Sequence, residues 1–300
     1  MADLIKPEPL RLGDRYFYTL TSYDPVSIEV RVPRVTEQDV EFALREVIAE
    51  HEVAHMSEEE RANPHFTAPE DLTDEWVAQE FPGVGSVAAL REQMHRQLEQ
   101  MNAQAIEESK PGHCAEALAK RLVQQIPEDE LARTRAALQQ RMAADLAREG
   151  LTVSDFMRQA GMQQFSLDAM LDEQARVMAE QNAAIDAFAQ ERKVKVEDGE
   201  LPQLLAMGLS EANDLIKQAR ESGQLEMLRQ MAVRIKAMRI VVAECSCSYH
   251  VESPEEAAAR VAEFQRMMDN APAFLKRGAT ADGSAASQGT AADQRGFKLV

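Results

Sequence analysis

Apolar residues recur at three- and four-residue spacing through most of this chain, and that rhythm is helical. From Ile126 to His250 it forms an array of amphipathic segments separated by glycine-marked stops. Leu131, Thr134, Leu138, Met142 and Leu146 make the first stripe. Pro127 and three acids open it, as suits a helix N-terminus, and Gly150 closes it. A short helix is predicted from Ser154 to Ala160, stopping at Gly161. Ser166 is then expected to cap a long helix carrying Leu167, Met170, Leu171, Ala175, Met178, Ile185 and Phe188. After an extended turn at Lys193–Glu197 come a short helix from Leu201 to Met207 and another capped by Ser210 and ending at Gly223. The last stripe is Leu225, Leu228, Met231, Ile235, Met238 and Val242.

The flanks read differently. Tyr16–Leu20 and Val26–Val32 are β-like, the second alternating cleanly, and two strands must pack on helices or form an arm. Thr36 is placed to cap a helix with Asp39 in a capping-box position, and Val40, Ala43, Leu44, Val47 and Ile48 give its apolar face. An acidic connector with Pro64 and Pro69 follows, then a short segment, Thr73–Ala78, and the Phe81–Gly85 turn. Ser86 is predicted to cap a long helix with Leu90, Met94, Leu98, Met101 and Ile106 on one face. Pro111-Gly112 should kink or break it before it resumes through Cys114, Leu118 and Leu122. Ser253 is placed to cap a helix over 254–270, and the Gly/Ala/Ser/Thr-rich stretch from Gly278 to Gln294 is expected to be disordered.

Composition sharpens this to a mainly α protein. Aromatics are 5% of 300 residues, and methionine is frequent at 15. The net charge of -18 repels phosphate backbones, so nucleic acid is a poor partner, while it keeps apolar grooves soluble. No apolar run has the length of a membrane span and the first residues lack a signal-like apolar core, so no membrane association and a cytoplasmic location are expected. Three cysteines, with Cys245 and Cys247 too close for an ordinary bridge, fit a reducing compartment.

One motif carries potential chemistry. His51-Glu52-Val53-Ala54-His55 is a literal H-E-x-x-H, whose histidines share a helix face and could hold zinc with Glu52 as general base. Glu75 lies at a separation known from one metalloprotease group. Against this, the motif arises by accident in roughly one chain in a hundred of this composition, and few residues precede it to build a substrate-aligning sheet. The reading preferred here is a solvated helix end, with no metal, no cofactor and no catalytic residue.

The order of several weak motifs then becomes recognisable. Ala117–Val123 followed by Ile126-Pro127-Glu128, the text around Arg148–Thr152 and Phe156, Asp168–Val177, and Gly223–Arg229 with Ile235-Lys236-Ala237 resemble the helical part of bacterial trigger factor. Val35–Val40, Leu72–Trp76 and Ser86–Arg91 resemble the text flanking that family's prolyl isomerase insertion. The resemblance covers about 23–50 and 71–252. It implies a multi-helix chaperone domain with extended helical arms over 23–252, after a lead-in over 1–22 with short extended segments. Residues 51–70 form a short connector where the isomerase would be inserted, a C-terminal helix spans 253–275, and a tail spans 276–300.

The basic ribosome-docking loop is missing, so direct ribosome docking is not expected. The implied function is an ATP-independent holdase that binds apolar segments of unfolded or nascent polypeptides without isomerase activity. Met157, Met162, Phe165, Met170, Met207 and Leu209 are the candidate client-binding residues, because their stripes are interrupted near the arm tips. The alternatives are a zinc-dependent hydrolase using His51, Glu52, His55 and Glu75, or a non-catalytic scaffold for one folded partner.

Overall fold

The computed structural model describes residues 6–13, 15–57, 66–206 and 208–270, without the side chains of 209 and 268–270. The protein is mainly α-helical. Strands β1 (Leu10–Leu12) and β2 (Arg15–Phe17) form an antiparallel hairpin, and β3 (Ser27–Val32) pairs with β4 (Ser246–Val251). Helices α1 (Glu37–His55), α2 (Asp74–Glu80) and α3 (Val87–Ala119) follow β3. Then come α4 (Glu128–Arg148), α5 (Val153–Gln159), α6 (Gln164–Glu191), α7 (Leu201–Leu204), α8 (Leu209–Glu221) and α9 (Leu225–Glu244), with α10 (Pro254–Asn270) after β4.

The described chain divides into two compact units, 6–28 with 111–247 and 29–110 with 248–270. In the second unit the predicted α1 face is the core. Val40, Leu44 and Ile48 are buried with Val77, Leu90 and Met94. The stripe on α3 leaves this core early, since Met101 is exposed. Thr36 caps α1 with the expected box, its hydroxyl accepting from the Asp39 N–H at 3.2 Å while Asp39 accepts from the Thr36 N–H at 2.8 Å. Ser253 and Glu256 repeat the device at α10, with distances of 3.2 and 2.8 Å. Arg260 on α10 reaches Asp39 and the buried Glu252, each at 3.2 Å, so a desolvated carboxylate is paired rather than stranded.

The first unit holds two helical arms joined along α6 and α9. The C-terminal half of α6 buries Ala179, Ala183, Ala184, Ile185, Ala187 and Phe188, and α9 packs on α6 with Ala232, Ala237, Met238 and Val241 buried. Alanines on the α6 face let the two helices pack closely, and the Arg234 guanidinium forks onto Asp186 at 2.7 and 2.6 Å. Arm one is α4, α5 and the N-terminal half of α6. Arm two is α7 and α8 packed on the start of α9, around Leu201, Leu204, Ile216, Ala219, Leu228 and Ala232.

Several expectations need correction. α3 is one continuous helix with Pro111 inside it, so the proline does not break it; the ring removes one N–H and packing of Cys114, Ala115 and Leu118 holds the next turns. α6 starts two residues before Ser166, after Gln163, and α8 starts at Leu209 after Gly208, so neither serine is a cap. The helix expected from Leu201 to Met207 ends at Leu204. The end of the array is a strand instead of helix or coil: the Ser246 N–H donates to the Val26 carbonyl and the Glu252 N–H to the Val32 carbonyl, so β4 runs parallel to β3. Residues 1–5, the connector stretch 58–65 and the tail from 271 lie outside the described residues.

Candidate functional site

α4 buries none of its residues, and Leu131, Leu138, Met142 and Leu146 are all half-buried. Their stripe lies along α6, where Leu167, Leu171 and Ala175 are buried. Arg135 on α4 fixes the register by bridging Asp168 and Asp172 on α6, each at 2.6 Å.

The tip is built by two helix stops of one kind. At the end of α4 the Leu151 N–H donates to the Leu146 carbonyl at 2.9 Å across Gly150. At the end of α5 the Met162 N–H donates to the Met157 carbonyl, also at 2.9 Å, across Gly161 with φ at 62°. Such a stop requires a left-handed residue and sets the side chains on either side of it against each other. It accounts for the neighbourhood of Met157 and Met162, both half-buried. Three residues on, Phe165 at the start of α6 is 81% exposed. Thr152 caps α5 in a box with Asp155, and hydrogen bonds from the Thr152 hydroxyl and amide hold the Asp155 carboxyl below its usual range, aided by Arg158 and opposed by a small loss of hydration.

The remaining candidates separate. Met170 is half-buried on α6, farther down the arm. Met207 lies outside the described residues; Leu209 begins α8, with its side chain outside them. The tip gathers Met157, Met162 and Phe165 within nine residues, with Val153 and Phe156 half-buried beside them in α5. Val153, Phe156 and Met227, the last exposed at the start of α9, were not among the sequence candidates. The same interrupted periodicity at an arm end marks Val153 and Phe156.

The H-E-x-x-H residues are engaged in other ways. His51 Nε2 lies 3.1 Å from Glu80, and its ring packs on Phe81 with centroids 4.7 Å apart. His55 Nδ1–H donates to the His51 carbonyl at 2.8 Å. Glu52 accepts from the Thr67 N–H at 3.0 Å and from its hydroxyl. Glu75 is exposed on α2, and among the described residues no three His, Cys, Asp or Glu side chains come together as a metal set. No described helix is long and apolar enough to cross a membrane.

The family model for the C-terminus of bacterial trigger factor matches residues 86–243, just over half the chain. The chain belongs to the trigger factor C-terminal family. A trigger factor from Deinococcus deserti is 30% identical over 152 residues, a match that covers 49% of this chain and 33% of that protein. The chain therefore spans about a third of the length of this curated relative. The trigger factor match contains both arms whole. It leaves out the H-E-x-x-H motif, the β1–β2 hairpin, β4 and α10.

Proposed function

We propose that this protein is an ATP-independent holdase that binds apolar segments of unfolded or nascent polypeptides at the tip of arm one. The observation that carries the reading is Phe165, a large apolar side chain left 81% exposed, with the half-buried Met157 and Met162 a few residues before it in the chain. Single exposed apolar side chains are ordinary, but one flanked by half-buried apolar residues where two helices turn is the kind of place a contact surface forms. Methionine is unbranched and polarisable, so the surface adapts to clients of many shapes. Membership of the trigger factor family supports a chaperone role. The -18 charge keeps copies with exposed apolar tips from associating.

Prolyl isomerase activity has no place in this reading. Thirteen residues, 56–68, connect α1 to the 3-10 turn at Pro69–Asp71, whereas an inserted domain needs on the order of a hundred. The test is aggregation of a chemically unfolded model protein diluted with and without this chain, repeated with chelator. Suppression near stoichiometric ratios, unaffected by chelator and without client cleavage, is the expected result. Absence of suppression at every ratio would sink the reading, and client fragments that disappear with chelator would replace it with the hydrolase.

A further inference from the structure

The N-terminal lead-in is a built element of the first unit. Its two ends are fixed to the segment between α3 and α4 by backbone hydrogen bonds. The Gln125 N–H donates to the Pro7 carbonyl at 3.0 Å, the Val123 N–H to Thr19 at 3.0 Å and the Thr21 N–H to Arg121 at 2.8 Å. Tyr18 is buried there, its hydroxyl donating to Glu130. The hairpin thus leaves from a fixed pivot and returns to it.

Beyond the pivot its contacts change character. On one face, Arg11 stacks over Tyr16 at 5.2 Å, the Tyr16 hydroxyl donates to Asp129 in the first turn of α4 at 2.7 Å, and Arg11 lies 4.0 Å from the same carboxylate. On the other face, Arg15 reaches Glu226 in the first turn of α9 at 2.9 Å, with the Gln230 amide against the same guanidinium. One short hairpin therefore touches the root of arm one and the outer end of arm two. Both charged ties are more than half exposed on the arginine side, so salt screens them. An isolated two-stranded hairpin is marginal without such support. Leu10 and Leu12 are 64% and 57% exposed, so little apolar burial holds the hairpin down.

We propose that the Leu10–Phe17 hairpin is a salt-sensitive latch that ties the start of α4 to the start of α9 and so limits the separation of the two arms. The latch goes beyond the chaperone reading and is tested without any client. In the full chain, nitroxides carried on unnatural residues at Ala144 on α4 and Lys217 on α8, both exposed, report the arm-to-arm distance distribution. At low salt the wild type shows one narrow peak. Arg15→Glu raises the population outside that peak roughly threefold, the scale of one exposed ion pair, and about 1 M salt does the same to the wild type. Arg15→Glu with Glu226→Arg restores the peak, and Arg148→Glu, the same charge change at the arm tip, leaves it alone. Identical distributions in wild type, Arg15→Glu and high salt overturn the latch, as does a broadening that the Glu226→Arg partner fails to reverse.

Discussion

The two arms of the first unit are built from similar helices but spend their apolar residues differently. Arm two closes on itself, with Leu201, Leu204, Ile216 and Leu228 buried among α7, α8 and α9. In arm one α4 lies along the N-terminal half of α6, where Leu167, Leu171 and Ala175 are buried, yet every apolar residue of the α4 stripe stays half-buried. Three helices meeting around one point close a core; α4, laid mainly along one partner, buries the α6 stripe beneath it but keeps a flank of its own stripe in water. The same periodic pattern thus yields a self-contained lobe in one place and an apolar contact surface in the other.

The largest test of that contrast is a pair of truncations. Leu201→Ala should cost about 3 kcal/mol, because the residue is fully buried, while Leu138→Ala on α4 should cost about 1 kcal/mol. Hydrogen exchange of the amides in each arm reads both, and equal costs would erase the contrast. Next comes Phe165→Ser. It should weaken capture of an unfolded client about tenfold, measured by titrating aggregation suppression, with a stability change within about 0.5 kcal/mol. A large stability loss would make Phe165 a structural residue.

The helix stops sharpen the comparison further. Arm one turns at Gly150 and Gly161, whereas the chain leaves α6 for arm two through Lys193, held at φ 52° while the Val194 N–H donates to the Ala189 carbonyl at 2.9 Å. Lys193→Gly should therefore stabilise the protein by about 0.5–1 kcal/mol, seen as a raised denaturant midpoint at unchanged slope. The smallest effect is acid sensitivity. Asp155 in arm one is held low by Thr152 and Arg158, and Glu200 in arm two by Lys236 and the Glu197 amide. Because both folded pKa values are depressed, the stability they contribute is present above the ordinary carboxylate range and is lost as pH falls through the folded values, below about pH 4. Amide protection relative to the intrinsic exchange rate at each pH should fall there in 153–159 and 198–204, and Asp155→Asn should remove the change in the first segment alone. Unchanged protection in 153–159 on acidification would contradict it.

Local signals were readable in the sequence. Thr36 with Asp39, Ser253 as the cap of the last helix, the α1 face of Val40, Leu44 and Ile48, and the glycine stops all depend on neighbours within a few residues, so spacing reveals them. β4 was not readable, because Ser246–Val251 becomes a strand only by pairing with β3, more than two hundred residues upstream. At Pro111, where a kink or a break is expected, the break is excluded, since α3 runs on through the buried Cys114 and Leu118. Of the candidate site, Met157, Met162 and Phe165 followed from interrupted stripes at an arm end. Met227 did not, because its stripe neighbours Leu228 and Met231 belong to the core of arm two and periodicity alone does not say which side of a stripe ends in water.

The alanine face of α6 sets the terms on which this protein can drift over generations. Ala184 and Ala187 are buried, so an added methyl group at either would overpack the interior around α6. The half-exposed stripe of α4 and the residues around Phe165 accept exchanges among leucine, methionine and phenylalanine at little cost. The chemistry of the arm tip is thus free to be retuned without touching the packed α6–α9 junction, so sequence divergence is expected to accumulate at the tip first.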